Sequence, residues 1–256
     1  MRVASITFIK KSLVFSALSV LGIFAGGCTT SIADPYFADI DKDVLDEAST
    51  VPGVRQVTFT DWGERAESLA PSSHRTKTRR DPCAESNSYK LYGGAIRWMD
   101  LPATYRFEDV PNEDWKAAVR RAFATWNAAS PIPIFQEDES ATNIIKWISL
   151  DGPGRALAQT AFRYSGRHML RFEIRFDASE SWAILGNEAC PTVSGSAFDV
   201  ENVAVHEIGH ALGLSHVTRR QDIALTMYPS AAIGETLKRS LGAGDRAGLV
   251  YLYGTR

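Results

Sequence analysis

The chain has 256 residues, 45% hydrophobic and 23% charged, with a formal net charge of −2. That is enough for one domain plus an extension, or for two small domains, and it excludes wholesale disorder. Beyond the basic first residues the balance turns acidic, which excludes a nucleic-acid binder, since such a protein needs a basic face; three cysteines are too few for a disulfide-built scaffold.

Arg2, Lys10 and Lys11 precede an apolar run over residues 13–25, which is short for a spanning helix and ends in small residues. A basic flank, a short apolar run and a small-residue exit make residues 1–27 a secretory signal. No second long apolar run follows, so a polytopic membrane protein is excluded. Phe24-Ala25-Gly26-Gly27-Cys28 resembles a bacterial lipoprotein signal, with Ala25 where a Leu is usual. The resemblance implies a lipidated Cys28 and a membrane-anchored protein of the bacterial cell envelope. The other reading is an ordinary cleaved signal with an incidental Cys28. Both put the chain outside the cytoplasm, where disulfides persist.

Residues 28–88 read as an N-terminal extension, a linker or a short pro-segment. Residues 34–46 are acidic and residues 71–80 polar and basic, with no sustained period; some structure is expected around 51–62. Lys77-Thr78-Arg79-Arg80 is either a solvated charge run or a protease-sensitive processing point. From residue 89 to 256 the character is that of a folded domain. Strands are expected at 95–98 and 103–107. Trp115, Ala118, Val119, Ala122, Phe123 and Trp126 then fall on one stripe of an amphipathic helix opened by Pro111 and Asn112. Residues 132–136, 143–148, 158–164 and 170–176 are β-like, with a turn at Asp151-Gly152-Pro153-Gly154. A second helix starts at Val200, capped by Asp199 or Ser196. The layout is α+β, with a mixed sheet and its helices on one side. Tyr251 and Tyr253 are expected to pack in the core or against helix ends.

Residues 206–216 read His-Glu-Ile-Gly-His-Ala-Leu-Gly-Leu-Ser-His. On a helix, His206 and His210 are four apart and share a face, so both imidazoles can bind one zinc ion with Glu207 beside them. Gly213 can take a positive φ and stop the helix, which lets His216 supply a third nitrogen. Three imidazoles leave one zinc position open, the mark of a catalytic rather than a structural site. Glu207 is then the general base for water attack on a peptide carbonyl. Three of the chain's five histidines fall in this stretch, which argues against surface or core histidines. Met227, in Leu225-Thr226-Met227-Tyr228-Pro229, is the methionine expected beneath such a histidine cluster.

With these residues in place, the sequence resembles a matrixin, the matrix-metalloproteinase branch of the metzincins, over roughly 96–254. Supporting patches are Leu101-Pro102-Ala103-Thr104-Tyr105-Arg106, Ala122-Phe123-Ala124-Thr125-Trp126, Asp151-Gly152-Pro153-Gly154, Phe176-Asp177 with Glu180 and Trp182, Met227-Tyr228-Pro229, and Asp245-Arg246-Ala247-Gly248-Leu249 through Leu252-Tyr253-Gly254. Val217 follows the third histidine where astacins carry Glu and reprolysins Asp.

The resemblance implies a zincin-like catalytic domain with a mixed, mostly parallel twisted sheet, two long helices and a C-terminal helix. It implies a monomeric zinc metalloendopeptidase acting on proteins or peptides. The strand near 171–176 would line the cleft, where an extended substrate pairs with its edge, and residues 230–241 would wall the specificity pocket. It also implies a structural calcium ion at Asp151, Gly152 and Gly154 with Asp177 and Glu180, whose carboxylates and carbonyls are hard ligands. The structural zinc of matrixins is not expected, because Arg175 stands where a His ligand would and residues 157–162 hold no His; one zinc is expected. Cys83 either caps the zinc, as pro-segment cysteines of matrixins do, or pairs with Cys190. The competing functions are a catalytically silent zinc-binding envelope lipoprotein that binds a peptide or partner, and a peptidoglycan or small-amide hydrolase.

Overall fold

The computed structural model describes residues 44–64, 86–186 and 196–254. The signal segment, Cys28, residues 77–80, Cys83 and Cys190 lie outside them. In chain order the elements are β1 (Val44–Ala48), β2 (Arg55–Glu64), β3 (Lys90–Leu91), β4 (Ala103–Phe107), helix α1 (Glu113–Ala129), β5 (Phe135–Glu137), β6 (Asn143–Ile148), β7 (Ala156–Ser165), β8 (His168–Asp177), β9 (Trp182–Ala183), β10 (Phe198–Asp199), helix α2 (Val200–Leu212), β11 (Leu214–Ser215), β12 (Ser230–Ala232) and helix α3 (Ala243–Tyr253). Among the described residues no helix is long and apolar enough to cross a membrane.

One eight-stranded sheet runs β1-β2-β7-β8-β6-β4-β5, and β12 adds to β2. The β5-β4-β6-β8 part is parallel, β7 and the β1–β2 hairpin are antiparallel, and β12 runs parallel to β2. The mixed sheet expected from the sequence is therefore present, but the long pairings β2–β7 and β7–β8 make it as much antiparallel as parallel.

Helix α1 starts where Asn112 accepts from the Trp115 N–H. It buries Ala118, Val119, Ala122, Phe123 and Trp126, the predicted stripe. Phe123 stacks on Tyr105 of β4 at 3.8 Å between ring centroids. The Trp126 indole N–H donates to the Val205 carbonyl at 2.8 Å, which ties α1 to α2 while satisfying the one polar atom of a fully buried ring.

Several expectations need correction. Residues 95–98 form no strand: Arg97 makes a single bridge to His168, and Ala95 sits at a φ of 80°. The strand expected at 132–136 starts only at Phe135. The cleft-rim strand is not the one near 171–176. That strand, β8, lies inside the sheet between β6 and β7, and β7 is the strand that faces the site. Tyr251 is exposed rather than packed in the core, whereas the Tyr253 hydroxyl donates to the Leu212 carbonyl at the end of α2.

The largest difference concerns residues 44–64. They are not a loose tether but two strands of the main sheet. Val57 and Phe59 alternate inward and are fully buried, as period two demands of a strand with one covered face. The hairpin is fastened through Asp46. Its carboxylate accepts from the Tyr92 hydroxyl at 2.6 Å, the Arg55 guanidinium at 2.9 Å and the Tyr164 hydroxyl at 3.1 Å. Burial pulls this carboxyl up, but the Tyr92, Arg55 and Tyr164 donors outweigh it and hold it below the usual carboxylate range. A depressed carboxylate stabilises the fold above its unfolded value, near ~3.9, and gives that up as pH falls through the lower folded value. The difference in melting temperature between the wild-type chain and Asp46→Asn should therefore be full at neutral pH and shrink below about pH 4. A difference that does not change with pH would show that the charge on Asp46 does not fasten the hairpin.

Candidate metal centre

Helix α2 begins at Asp199, which accepts from the Asn202 N–H at 2.8 Å, so Asp199 and not Ser196 is its cap. Arg239 holds that carboxylate from outside at 2.6 Å. Every residue of α2 is buried, which its run of Val, Ala, Ile, Gly and Leu permits. The four-residue spacing puts His206 and His210 on one face. Gly213 ends the helix at a φ of 104°, where a Cβ would lie 2.1 Å from the Ile96 carbonyl oxygen; only glycine fits the turn that returns the chain to His216.

The three histidines converge. His210 Nε2 lies 3.1 Å from His206 Nε2 and 3.0 Å from His216 Nε2. His206 Nδ1 faces the Thr226 carbonyl at 2.5 Å and His210 Nδ1 the Leu214 carbonyl at 2.9 Å. A carbonyl only accepts, so the protons sit on those Nδ1 atoms and the Nε2 lone pairs point at a common centre. Burial pushes the imidazoles of His210 and His216 down, towards the neutral form a metal requires.

A fourth donor is present that the sequence reading did not identify. Asp61 of β2 places Oδ1 2.9 Å from both His206 Nε2 and His216 Nε2, and Oδ2 3.6 Å from His210 Nε2. Asp61, His206, His210 and His216 offer four buried donor atoms within 4.8 Å of one another, the one such grouping among the described residues. Asp61 Oδ2 and His216 Nδ1 have no hydrogen-bond partner, which is rare for buried polar atoms. Lone pairs crowded together with a carboxylate are costly without a cation between them, so the donor set fits a divalent zinc ion.

Glu207 is fully buried beside this cluster. Its Oε2 accepts from the Thr160 hydroxyl of β7, and Oε1 has no partner. Burial, followed by the nearby Asp61 charge, raises the Glu207 carboxyl well above its ordinary value. Phe59 of β2 stacks on the His210 ring at 4.0 Å, closing the site from the same strand that carries Asp61. Beneath the histidines, a Cβ on Gly209 would lie 2.2 Å from Met227 Sδ, so the methionine packs directly on the helix backbone. The Met227 carbonyl accepts from the Val217 N–H just past His216. Asp245 fixes this turn by accepting from the Thr226, Met227 and Gly242 N–H groups at 2.9, 3.2 and 2.8 Å.

Residues 97–254 match the family model described as Matrixin. The chain belongs to the matrixin family. Metalloendoproteinase 1 of Glycine max is 36% identical over 66% of this chain and 56% of its own length. Metalloendoproteinase 1-MMP of Arabidopsis thaliana is 30% identical, over 65% of this chain and 47% of its own length. Interstitial collagenase of Equus caballus is 31% identical, with 65% and 34% covered. This matrixin spans about half the length of the relatives it matches, or less. High choriolytic enzyme 1, a hatching enzyme zinc-protease from Oryzias latipes (Medaka fish), superposes with a TM-score of 0.36 at 12% identity over 66% of this chain and 100% of that one, a likeness too remote to bear weight.

The other residues singled out in this matrixin are placed as follows. Asp177 accepts from the N–H groups of Leu150, Asp151 and Ser179, and Glu180 from those of Gly154 and Arg155. Asp151 accepts from the Ala156 N–H. These carboxylates lace the turn before β7 to the turn after β8 through backbone donors. Tyr228, Pro229, Ser230, Ala231 and Lys238, with Leu157 and Val203, line a recess next to Asp61. Asp61 carried one legible signal, the inward alternation Val57, Phe59, Asp61; Asp245 showed only as part of the closing patch of the resemblance and Thr160 not at all, because each acts through contacts distant in the chain.

Proposed function

We propose that this protein is a zinc-dependent metalloendopeptidase that hydrolyses peptide bonds in proteins. The observation that carries the reading is the convergence of three Nε2 atoms, from His206, His210 and His216, beside a buried carboxylate with a free oxygen. When bound there, zinc supplies a Lewis acid that polarises the scissile carbonyl and acidifies the attacking water. His206, His210 and His216 would hold it, the first two oriented by the Thr226 and Leu214 carbonyls. Glu207 Oε1 takes the proton of the attacking water and delivers it to the leaving amine. The Thr160 hydroxyl fixes the rotamer of Glu207 by holding Oε2. Thr160 is thus a positioning residue. The recess by Tyr228 and Lys238 receives a substrate side chain. The Lys238 ammonium at its margin is held by the Ser230 carbonyl and Glu235, at 2.7 and 2.8 Å.

Export, lipidation of Cys28 at the bacterial envelope and a monomeric state complete this reading. They rest on residues 1–28 and on the matrixin resemblance, which also implies calcium at Asp151, Gly152, Gly154, Asp177 and Glu180. One observation favours a second reading: with Asp61 the site has four donors, the count of a closed structural zinc. The chain would then be a silent zinc-binding protein.

The test uses the zinc-loaded chain and a quenched fluorogenic peptide, before and after brief trypsin treatment. Hydrolysis should follow trypsin, stop with a chelator and return with zinc. No hydrolysis under either condition, at one zinc per chain, would favour the closed site.

A further inference from the structure

We propose that the solvent face of the sheet at the start of β8 is a docking surface for an anionic lipid membrane. Its centre is apolar, formed by Met99 and Leu170, and its rim is cationic, formed by Arg97, Arg163, Arg167 and Arg171. It lies on the other face of the sheet from the metal cluster and stands apart from the protease reading.

Strand pairing brings these residues together. Arg163 of β7 stands directly opposite Arg171 of β8. The register then shifts so that Tyr164 pairs with Met169, which leaves Leu170 as the extra residue of a bulge. A bulge re-aims a side chain, and Leu170 is 42% exposed. On the other flank of β8, Arg97 bridges His168 in parallel. Its N–H donates to the Arg167 carbonyl at 3.0 Å, and its carbonyl accepts from the Met169 N–H at 2.9 Å. Two residues on, Met99 comes abreast of Leu170 and is 48% exposed. Arg167 is exposed in the turn between β7 and β8.

The charges of this surface are unmatched. Like charges directly opposite one another destabilise a sheet. Among the described residues none of the four arginines is in an ion pair. Arg163 donates to the neutral amide of Gln56 at 3.0 Å. Glu173, two residues along β8, is taken by Lys146 and Arg175 at 2.8 and 2.7 Å. Asp100 at the margin faces His168 at 3.6 Å. The whole chain has a net charge of −2, so this is a local excess of cations. Four free cations fit an anionic partner, and Met99 with Leu170 fits one that has an apolar interior. An anionic bilayer offers both, phosphates at its surface and acyl chains below. A soluble anionic polysaccharide would meet the arginines and leave Met99 and Leu170 in water. Thr160, which holds Glu207, alternates to the other face of β7 from Arg163, so docking leaves the metal cluster turned away from the membrane.

The compact unit Asp34–Arg256 holds every described residue, so the test uses residues 29–256, without the signal segment and Cys28. Co-sedimentation measures partition onto vesicles of phosphatidylcholine alone and of phosphatidylcholine with about 30% phosphatidylglycerol. Each basic group near an anionic surface is worth about fivefold. The wild-type chain should therefore prefer the anionic vesicles about a hundredfold, and the preference should fade in about 0.5 M salt. Arg163→Gln/Arg171→Gln should cut it about 25-fold. Leu170→Ser should weaken binding to the anionic vesicles about tenfold, by losing one inserted apolar side chain. If the double variant does not fold, Arg167→Gln in the turn should still cut the preference about fivefold. Lys116→Gln/Arg120→Gln on α1 removes the same two charges elsewhere and should change it less than about twofold. A wild-type chain without preference for anionic vesicles would overturn the docking surface. An equal loss in the α1 variant would reduce the effect to net charge and overturn its place on the sheet. Unchanged vesicle binding by Leu170→Ser would overturn the apolar centre and leave a surface for soluble polyanions.

Discussion

Glu207→Ala should reduce kcat/KM for peptide hydrolysis by about a thousandfold or more while leaving one zinc per chain. The variant removes the proton acceptor and nothing that holds the metal. His206 and His210 keep their carbonyl partners at Thr226 and Leu214, and those contacts orient their Nε2 atoms. The cavity left by the side chain is small and lies next to the Thr160 hydroxyl, which still reaches the Glu207 carbonyl at 3.1 Å. The fold should therefore hold. Because β2 covers the site, the comparison is made after the same brief trypsin treatment of both proteins. A trypsin-treated Glu207→Ala chain that retains zinc and turns over within about tenfold of wild type would remove Glu207 from the proton path, since a lost general base costs at least ~10²-fold.

Asp245→Ala should lower stability by about 3–5 kcal/mol, the largest such loss expected of a residue outside the metal cluster. Asp245 is 1% exposed and accepts three backbone N–H groups. Alanine leaves all three without an acceptor, at about 1–3 kcal/mol each, less than additively because the turn can relax. For a domain of this size that is a fall in melting temperature on the order of 10 °C. The loss should reach the metal as well. The Thr226 N–H held by Asp245 belongs to the residue whose carbonyl orients His206, and the neighbouring Met227 packs on Gly209. Zinc affinity should weaken about tenfold or more, as it does when an orienting partner is lost. Thermal melts of zinc-loaded and chelator-treated protein, with a zinc competition titration, read both. A fall under about 3 °C would mean that water replaces the lost carboxylate and that Asp245 does not secure the turn.

How much of this was legible beforehand follows the sequence distance over which each feature is decided. The proposed metal ligands were readable because their geometry is local. A helical repeat of 3.6 residues puts positions 206 and 210 on one face, and a glycine at 213 is the residue that allows the reversal to 216. Met227 was readable because it follows in a short connected stretch. The helix stripe of α1 and the strands β4, β6, β7 and β8 were readable from their own periods.

The rim strand was misplaced for the opposite reason. The alternation in β7 and β8 tells that both are strands, but not which is interior. Their order depends on β6 pairing with β8 across a crossover, which is a tertiary choice. Residues 95–98 are apolar enough for a strand, yet they are buried by packing and by one bridge rather than by a ladder.

By itself, then, the sequence carried the proposed zinc chemistry: three imidazoles, one base, a glycine turn and a methionine floor, all within residues 206–227. Only the tertiary structure decided who else stands at the histidine cluster. Asp61 meets His216 across 155 positions of sequence, and Asp245 secures the Met227 turn from α3. A carboxylate's reach to a distant partner leaves no trace in local periodicity, because the strand that carries it keeps the same alternation whether it lines a groove, fills one or lies free in solvent. The free edges of β7 and β12 made that choice. Their unpaired N–H and C=O groups need a strand between them, and residues 55–64 supply it.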